Sequence, residues 1–341
     1  MTGTEPLALE SLSEGSLRDR FDERDYVADD ATVTTVYLAL QLERPLLVEG
    51  PPGSGKTELG KVLAAAFDAE LIRLQCYEGL TAENALYEWN YTKQLLAVQA
   101  NEGTVAGTSD GESAVDATTP TDADGPSDSR TVFDEEFLLE RPLLRAIRSG
   151  TDRPPVLLID EIDRADEEFE AFLLELLSDF QVSIPELGTV SAQHPPIVVL
   201  TSNRTRGLSD ALKRRCLYLH VEPPSFETEY EIVRRKVPEL DAAVAAEVCA
   251  IVERFREEAF LKRPGVAETL DWAGAVARLR QDAGDGSASG DEGDPEAISP
   301  DEIERTLGCL LKEAEDVDRV DTDLLEQLRD AAATARGRLE E

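Results

Sequence analysis

One stretch limits what this chain can fold into more than any other: Gly50-Pro51-Pro52-Gly53-Ser54-Gly55-Lys56-Thr57 fits the phosphate-loop pattern G-x-x-x-x-G-K-[ST]. The apolar run Pro45-Leu46-Leu47-Val48-Glu49 precedes it, and Leu59, Val62, Leu63 and Phe67 follow at helical spacing. A strand feeding a glycine-rich turn and then a helix points backbone N–H groups and the positive end of the helix dipole at one place, which suits a triphosphate. Gly50 to Thr57, with Glu58 next in the helix, are the expected nucleotide-binding residues. Lys56 is expected to reach the β- and γ-phosphates of ATP, and Thr57 to place its hydroxyl on Mg2+.

A second motif points to hydrolysis. Val156-Leu157-Leu158-Ile159 is a continuous apolar run without alternation, as expected of a strand buried on both faces of a parallel sheet, and it ends in Asp160-Glu161. At the carboxyl end of such a strand Asp160 would hold Mg2+, directly or through water, and Glu161 would act as general base on the attacking water. The competing reading is a solvated acidic turn. Two acids after an apolar run, downstream of a phosphate loop, favour the catalytic one.

Farther along, Ile197-Val198-Val199-Leu200-Thr201-Ser202-Asn203 reads as another buried strand with a polar tip, and Ala211-Leu212-Lys213-Arg214-Arg215-Cys216 is a basic cluster in an acidic chain. Phosphate loop, Asp-Glu strand end, Thr-Ser-Asn strand end and Ala-Leu-x-x-Arg-Cys, in that order, resemble an AAA+ ATPase. Within that superfamily the chain is most similar to the MoxR group, especially the branch tied to maturation of carbon monoxide dehydrogenase. The similarity rests on Leu86-Tyr87-Glu88-Trp89-Asn90-Tyr91, Glu140-Arg141-Pro142-Leu143-Leu144, Ile184 to Val190, Thr201 to Arg206 and Pro264 to Trp272, and it covers most of Leu42 to Arg280.

The resemblance implies an α/β fold, an AAA+ P-loop NTPase with a parallel sheet flanked by helices and followed by a small all-helical lid. It implies that Asn203 is the polar sensor orienting the lytic water and Arg215 the finger that completes a neighbouring subunit's site, with Arg214 as fallback and Arg204 and Arg206 as further candidates. A guanidinium facing another protomer's γ-phosphate neutralises charge that no residue of that site reaches. A surface ion-pair patch is the alternative reading of Lys213 to Arg215. One departure stands out. MoxR-type lids often carry an arginine near the start of a helix, whereas the corresponding helix here begins Val266-Ala267-Glu268-Thr269, with only Lys262 and Arg263 before it.

The chain has 341 residues, 34 basic against 71 acidic, for a net charge of -37. That excludes a general nucleic-acid or anionic-membrane surface. The acidity and the scarcity of lysine resemble proteins of organisms with salty cytoplasm, where a short Debye length screens self-repulsion, and suggest a halophilic archaeon; an ordinary acidic protein is the alternative. Cys76, Cys216, Cys249 and Cys309 form no C-x-x-C pair, and His194 and His220 are the only histidines, so neither a zinc site nor a disulfide framework is expected. Without a signal-like start or a bilayer-length apolar run, a cytoplasmic protein is expected.

The length suits two domains. Residues 1–25 read as a polar lead-in, 26–223 as the nucleotide-binding domain and 224–341 as the helical lid, with Pro223-Pro224 between. A helix is expected through Val33, Val36, Tyr37 and Leu40, a strand over Leu71 to Leu74, helical spacing from Phe137 to Ile147, and a helix with Phe169, Phe172, Leu173, Leu176 and Leu177 on one face. Residues 103–129 are poor in apolar side chains and read as a disordered insertion, and 282–296 as a second acidic one. Residues 181–192 alternate around a turn and read as a β-hairpin. Trp89 and Tyr91 face either a pore or client, or the core.

Together these readings describe a machine, typically a hexameric ring, that binds ATP and Mg2+. By resemblance, its partners are a von Willebrand factor A domain protein and a client metalloenzyme that it remodels or matures. The alternatives are a nucleotide-gated assembly switch and a DNA-associated helicase- or clamp-loader-like factor; the latter needs a basic surface that this chain scarcely offers.

Overall fold

The computed structural model describes residues 11–96, 137–149, 153–184, 188–285 and 297–339. Helices α1 (Glu14–Asp22) and α2 (Asp30–Gln41) lead into β1 (Leu46–Glu49), α3 (Lys56–Ala66) and β2 (Leu71–Gln75). Next come α4 (Ala82–Leu86), the ribbon of β3 (Tyr87–Trp89) and β4 (Leu138–Glu140), α5 (Pro142–Arg148), β5 (Val156–Asp160) and α6 (Glu167–Asp179). The hairpin of β6 (Gln181–Ile184) and β7 (Gly188–Ser191) precedes β8 (Ile197–Ser202), α7 (Asp210–Arg215) and β9 (Leu217–His220). The chain then continues through α8 (Phe226–Lys236), α9 (Ala242–Glu257), α10 (Val266–Asp285), α11 (Pro300–Leu310), α12 (Ala314–Val317) and α13 (Thr322–Leu339).

The central sheet has the order β2-β5-β8-β1-β9, with every pair parallel. β1 and β5 are buried along their whole length, which explains their unbroken apolar runs. On one face, α1, α2 and α3 pack through Leu17, Phe21, Val36, Leu59, Leu63 and Phe67; on the other, Leu143, Phe169, Leu173 and Leu212 cover the sheet. The chain crosses from β1 to the far edge at β2 and returns strand by strand, so the carboxyl ends of β1, β5 and β8 lie side by side. This is where open α/β sheets gather their loops for a ligand.

The C-terminal helices share a separate core around Trp272, fully buried, whose indole N–H donates to Thr306 Oγ1 at 2.7 Å. Ser299 and Glu302 form a capping box at the start of α11, and Ser225 caps α8.

Two stretches depart from expectation. The polar lead-in contains α1, stapled by a Ser13–Ser16 capping box, whose only apolar side chains, Leu17 and Phe21, sit one turn apart and are both buried. A helix that buries two residues carries too weak a periodicity to stand out. Residues 138–140 form the strand β4 rather than the start of a helix, because Arg141-Pro142 sets the helix start at proline and the residues before it pair with Tyr87 to Trp89. Trp89 is buried in that ribbon with its ring edge-on to Tyr87, whereas Tyr91 is exposed. The 103–129 insertion lies outside the described residues. Of the 282–296 stretch, α10 takes in the residues up to Asp285, and 286–296 also lie outside.

α1 also touches the C-terminal helices: Arg235 of α8 donates to Asp22 at 2.8 Å, and Lys236 donates to the Arg24 carbonyl at 3.4 Å. Phe21→Ala should therefore destabilise the protein by about 3–5 kcal/mol, the range for deleting a fully buried aromatic ring. Asp22→Ala, which loses one half-exposed ion pair, should cost under about 1 kcal/mol. Urea unfolding of both variants at fixed salt measures the difference.

Candidate active site

The loop after β1 runs straight into α3, and Lys56 opens that helix with its side chain buried. Its Nζ donates to the carbonyl oxygens of Gly50 at 3.0 Å and Pro51 at 2.6 Å. Burial pulls the Lys56 pKa below the usual lysine range, while Asp160, Asp163 and Glu161 nearby push it back up. The third contact of Lys56 Nζ, to Ser54 Oγ at 3.5 Å, is long, so the ammonium is held by loop groups that an anion can replace.

Asp160, at the tip of β5, is the most heavily bonded carboxylate near the loop. Its Oδ1 accepts from Thr57 Oγ1 at 3.0 Å and Thr201 Oγ1 at 2.5 Å, and its Oδ2 from Arg73 Nε at 3.1 Å and Nη2 at 2.5 Å. Thr201 also accepts the Glu161 N–H at 3.0 Å, so β8 holds the turn that follows β5. Glu161 sits in the left-handed region at φ 55°, which swings its side chain away from the strand line, and it lies 3.5 Å from the Arg164 guanidinium.

Asp163 holds the third of these strand ends. Its buried carboxylate accepts from the backbone N–H groups of Asn203 at 3.1 Å and Thr205 at 2.8 Å and from the Thr205 hydroxyl at 2.6 Å. Burial works to raise its pKa, but these hydrogen bonds outweigh it and keep the carboxyl below the usual carboxylate range. Asn203 is thereby fixed beside Asp160 and Glu161 on the wall of a cleft of about 890 Å³.

The rest of that cleft comes from residues to which the sequence patterns assigned no role in the site. Residues 25–29 form one side, and Val221, Ile232 and Leu270 give an apolar surface between sheet and C-terminal helices. α10 meets the loop through its backbone: the Val266 N–H donates to the Gly53 carbonyl at 3.0 Å. Gly53 has φ +76°, and a Cβ on Gly265 would stand 2.8 Å from Gly53 Cα, so both positions need glycine. Lys262 and Arg263, the only basic residues just before α10, do not line the cleft.

The four candidate arginines separate clearly. Arg206 is committed to Glu170 and the Ala165 carbonyl, and Arg204 lies 3.5 Å from buried Glu49, whose carboxylate also accepts from Tyr218. Arg214 and Arg215 are exposed at the end of α7, and among the described residues their side chains have no partner. Their carbonyls are capped by Arg44, which donates to Arg214 at 2.5 Å and Arg215 at 3.1 Å. Arg215 does not line its own subunit's cleft. Of the residues singled out from sequence, the structure thus brings Pro52 to Glu58, Asp160, Glu161 and Asn203 to one cleft, with Gly50 and Pro51 behind it holding Lys56, and sets Arg215 apart.

Residues 45–216 match the model of the AAA domain, dynein-related subfamily. The chain belongs to that family. AAA domains in general bind and hydrolyse ATP with Mg2+, and they commonly assemble as rings. Relatives of this AAA domain protein include an uncharacterized protein of Staphylococcus haemolyticus, 24% identical over 69% of this chain and 77% of the other, and one of Staphylococcus aureus, 27% identical over 58% and 64%. Among solved structures, a Thermotoga maritima RuvB variant aligns with 92% of this chain and 72% of its own at 17% identity, with a TM-score of 0.43. Among the described residues no helix is long and apolar enough to cross a membrane.

Gly265→Ala should force α10 off the loop, because the clash is with backbone that cannot rotate away. Overpacking of this kind costs about 1–3 kcal/mol, so ATP affinity should fall by roughly 5- to 150-fold. Leu279→Ala, exposed on the same helix, should leave affinity unchanged. Titration with a fluorescent ATP analogue separates the two.

Proposed function

We propose that this chain is an ATP-hydrolysing AAA+ machine of the MoxR type and that the cleft between sheet and C-terminal helices is its ATP·Mg2+ site. The observation that carries the reading is the 3.0 Å bond between Thr57 and Asp160. It puts the first hydroxyl of the phosphate-loop helix beside the carboxylate ending β5, an oxygen pair suited to a hard cation whose remaining ligands are phosphate and water. Thr57 and Asp160 are the residues to hold Mg2+, which when bound neutralises charge on the phosphate oxygens.

Each other side chain then has one task. Lys56 exchanges the Gly50 and Pro51 carbonyls for phosphate oxygens, and Gly50 to Glu58 cradle the phosphates. Glu161 takes the proton of the attacking water, and Asn203 orients that water. The base rests on Val221, Ile232 and Leu270. In this reading residues 26–223, with α1 packed on them, are the nucleotide-binding domain and 224–341 the lid.

The free guanidinium of Arg215, outside its own cleft, supports action across a subunit interface in a ring, typically a hexamer. The sequence phrases quoted above support a chaperone-like role in maturing a client metalloenzyme, with a von Willebrand factor A domain protein as partner. The net charge of -37 with only 34 basic residues supports a salty cytoplasm as the working environment and stands against the DNA-associated alternative.

Glu161→Gln tests the chemistry. ATP binding should stay nearly intact while hydrolysis drops by about a hundredfold or more, as for loss of a general base; undiminished turnover would assign the water to another residue.

A mixing experiment tests assembly. Arg215→Ala should bind ATP and hydrolyse it poorly, and Lys56→Ala should keep its arginine while losing its loop. Mixed rings, formed at high salt, should regain some of the activity through interfaces that join an intact cleft to an intact Arg215. If mixed rings form and no activity returns, Arg215 does not act in trans.

A further inference from the structure

Three acids, Asp160, Glu161 and Asp163, crowd the end of β5, yet Lys56 is turned onto loop carbonyls. Among the described residues, the cation that touches Asp160 is Arg73, from the edge strand β2. Its Nε and Nη2 converge on Oδ2, while Thr57 and Thr201 occupy Oδ1. A carboxylate offers about four acceptor positions, and four donors fill them.

We propose that Arg73 is a built-in counter-cation of Asp160 that competes with the divalent metal, so that metal loading requires Arg73 to release Oδ2. The proposal rests on the ATP·Mg2+ reading above. A guanidinium and a divalent ion on one carboxylate oxygen repel each other, so one of them leaves. Of the donors on Asp160, Arg73 is the one built to do so. Thr57 is itself placed toward the metal, and Thr201 also anchors the Glu161 N–H. Arg73 is half exposed on a strand with an open side, and its Nη2 already donates to Gln75 Oε1 at 2.8 Å, a neutral partner that can keep it when Asp160 turns to the metal. The pair thus keeps the acidic cluster partly neutralised without metal and returns that charge to the solvent side when metal arrives.

The test is Mn2+ binding, followed by electron paramagnetic resonance with ADP present, on wild type, Arg73→Met and Arg73→Lys. Arg73→Met keeps the apolar stem without the charge, and its Mn2+ dissociation constant should fall by about tenfold, as expected when a two-donor charged competitor is removed. Arg73→Lys, with a single charged donor group, should fall between the two. ADP binding without metal should be the same in all three. Unchanged or weaker Mn2+ binding in folded Arg73→Met would overturn the proposal and leave Arg73 as a clasp between β2 and β5. Should Arg73→Met not fold, Arg73→Lys decides alone, wild-type affinity in that variant being the overturning result. A wild-type protein that binds neither ADP nor Mn2+ would instead sink the nucleotide reading itself.

Discussion

The Asp160 carboxylate is the joint at which the phosphate-loop helix, β8 and β2 meet, and the geometry of the cleft depends on it. Thr57 brings the start of α3, Thr201 the end of β8 and Arg73 the edge strand to its two oxygens. A carboxylate this buried is costly unless its lone pairs are occupied, and here every bond that occupies them also fixes an element of the site. Asp163, in the turn that follows, does the same for Asn203 and Thr205. Two acids three residues apart therefore set the relative positions of the loops after β1, β5 and β8.

Where one element carries its own signal, the sequence was readable. The unbroken apolar runs of β1 and β5, the glycine loop and the hairpin around 181–192 each depend on a few neighbouring residues, and each falls where expected. What escaped depends on partners far apart in the chain. α1 buries only Leu17 and Phe21, the segment 138–140 becomes a strand only because Tyr87 to Trp89 lie alongside, and the apolar wall of Val221, Ile232 and Leu270 comes from three separate segments. Asp163 was within reach: Asp160-Glu161-Ile162-Asp163 places a third acid beside the motif, and its burial required donors that a sequence does not display.

The contact between the loop and the C-terminal helices has a physical logic of its own. In place of a charged side chain reaching from α10, two glycines meet backbone to backbone, and Val266 donates to the carbonyl of the loop glycine. A backbone contact has no rotamers, so the separation of loop and α10 is set by the two main chains alone. Thr269, near the start of α10, is tied through Glu229 and Arg256 into the helices behind it, with bonds of 2.7 Å to Glu229 and 2.6 Å from Arg256 to the same carboxylate. The loop is thereby bonded through α10 to the helices behind it.

The placement of α1 bears on how much of this chain makes a working unit. The region matching the family model, 45–216, holds the loop and the acids. It omits α1, α2 and the 25–29 wall, and it also omits Arg235 and Lys236, through which α8 grips Asp22 and Arg24. A fragment trimmed to the matched region would expose the apolar face that Leu17, Phe21, Val33 and Val36 cover, and would lack Tyr26, Val221, Ile232 and Leu270 from the wall of the cleft. The segment matching the family model is thus only part of one folded body, whose cleft and apolar core are completed by α1, α2 and the C-terminal helices.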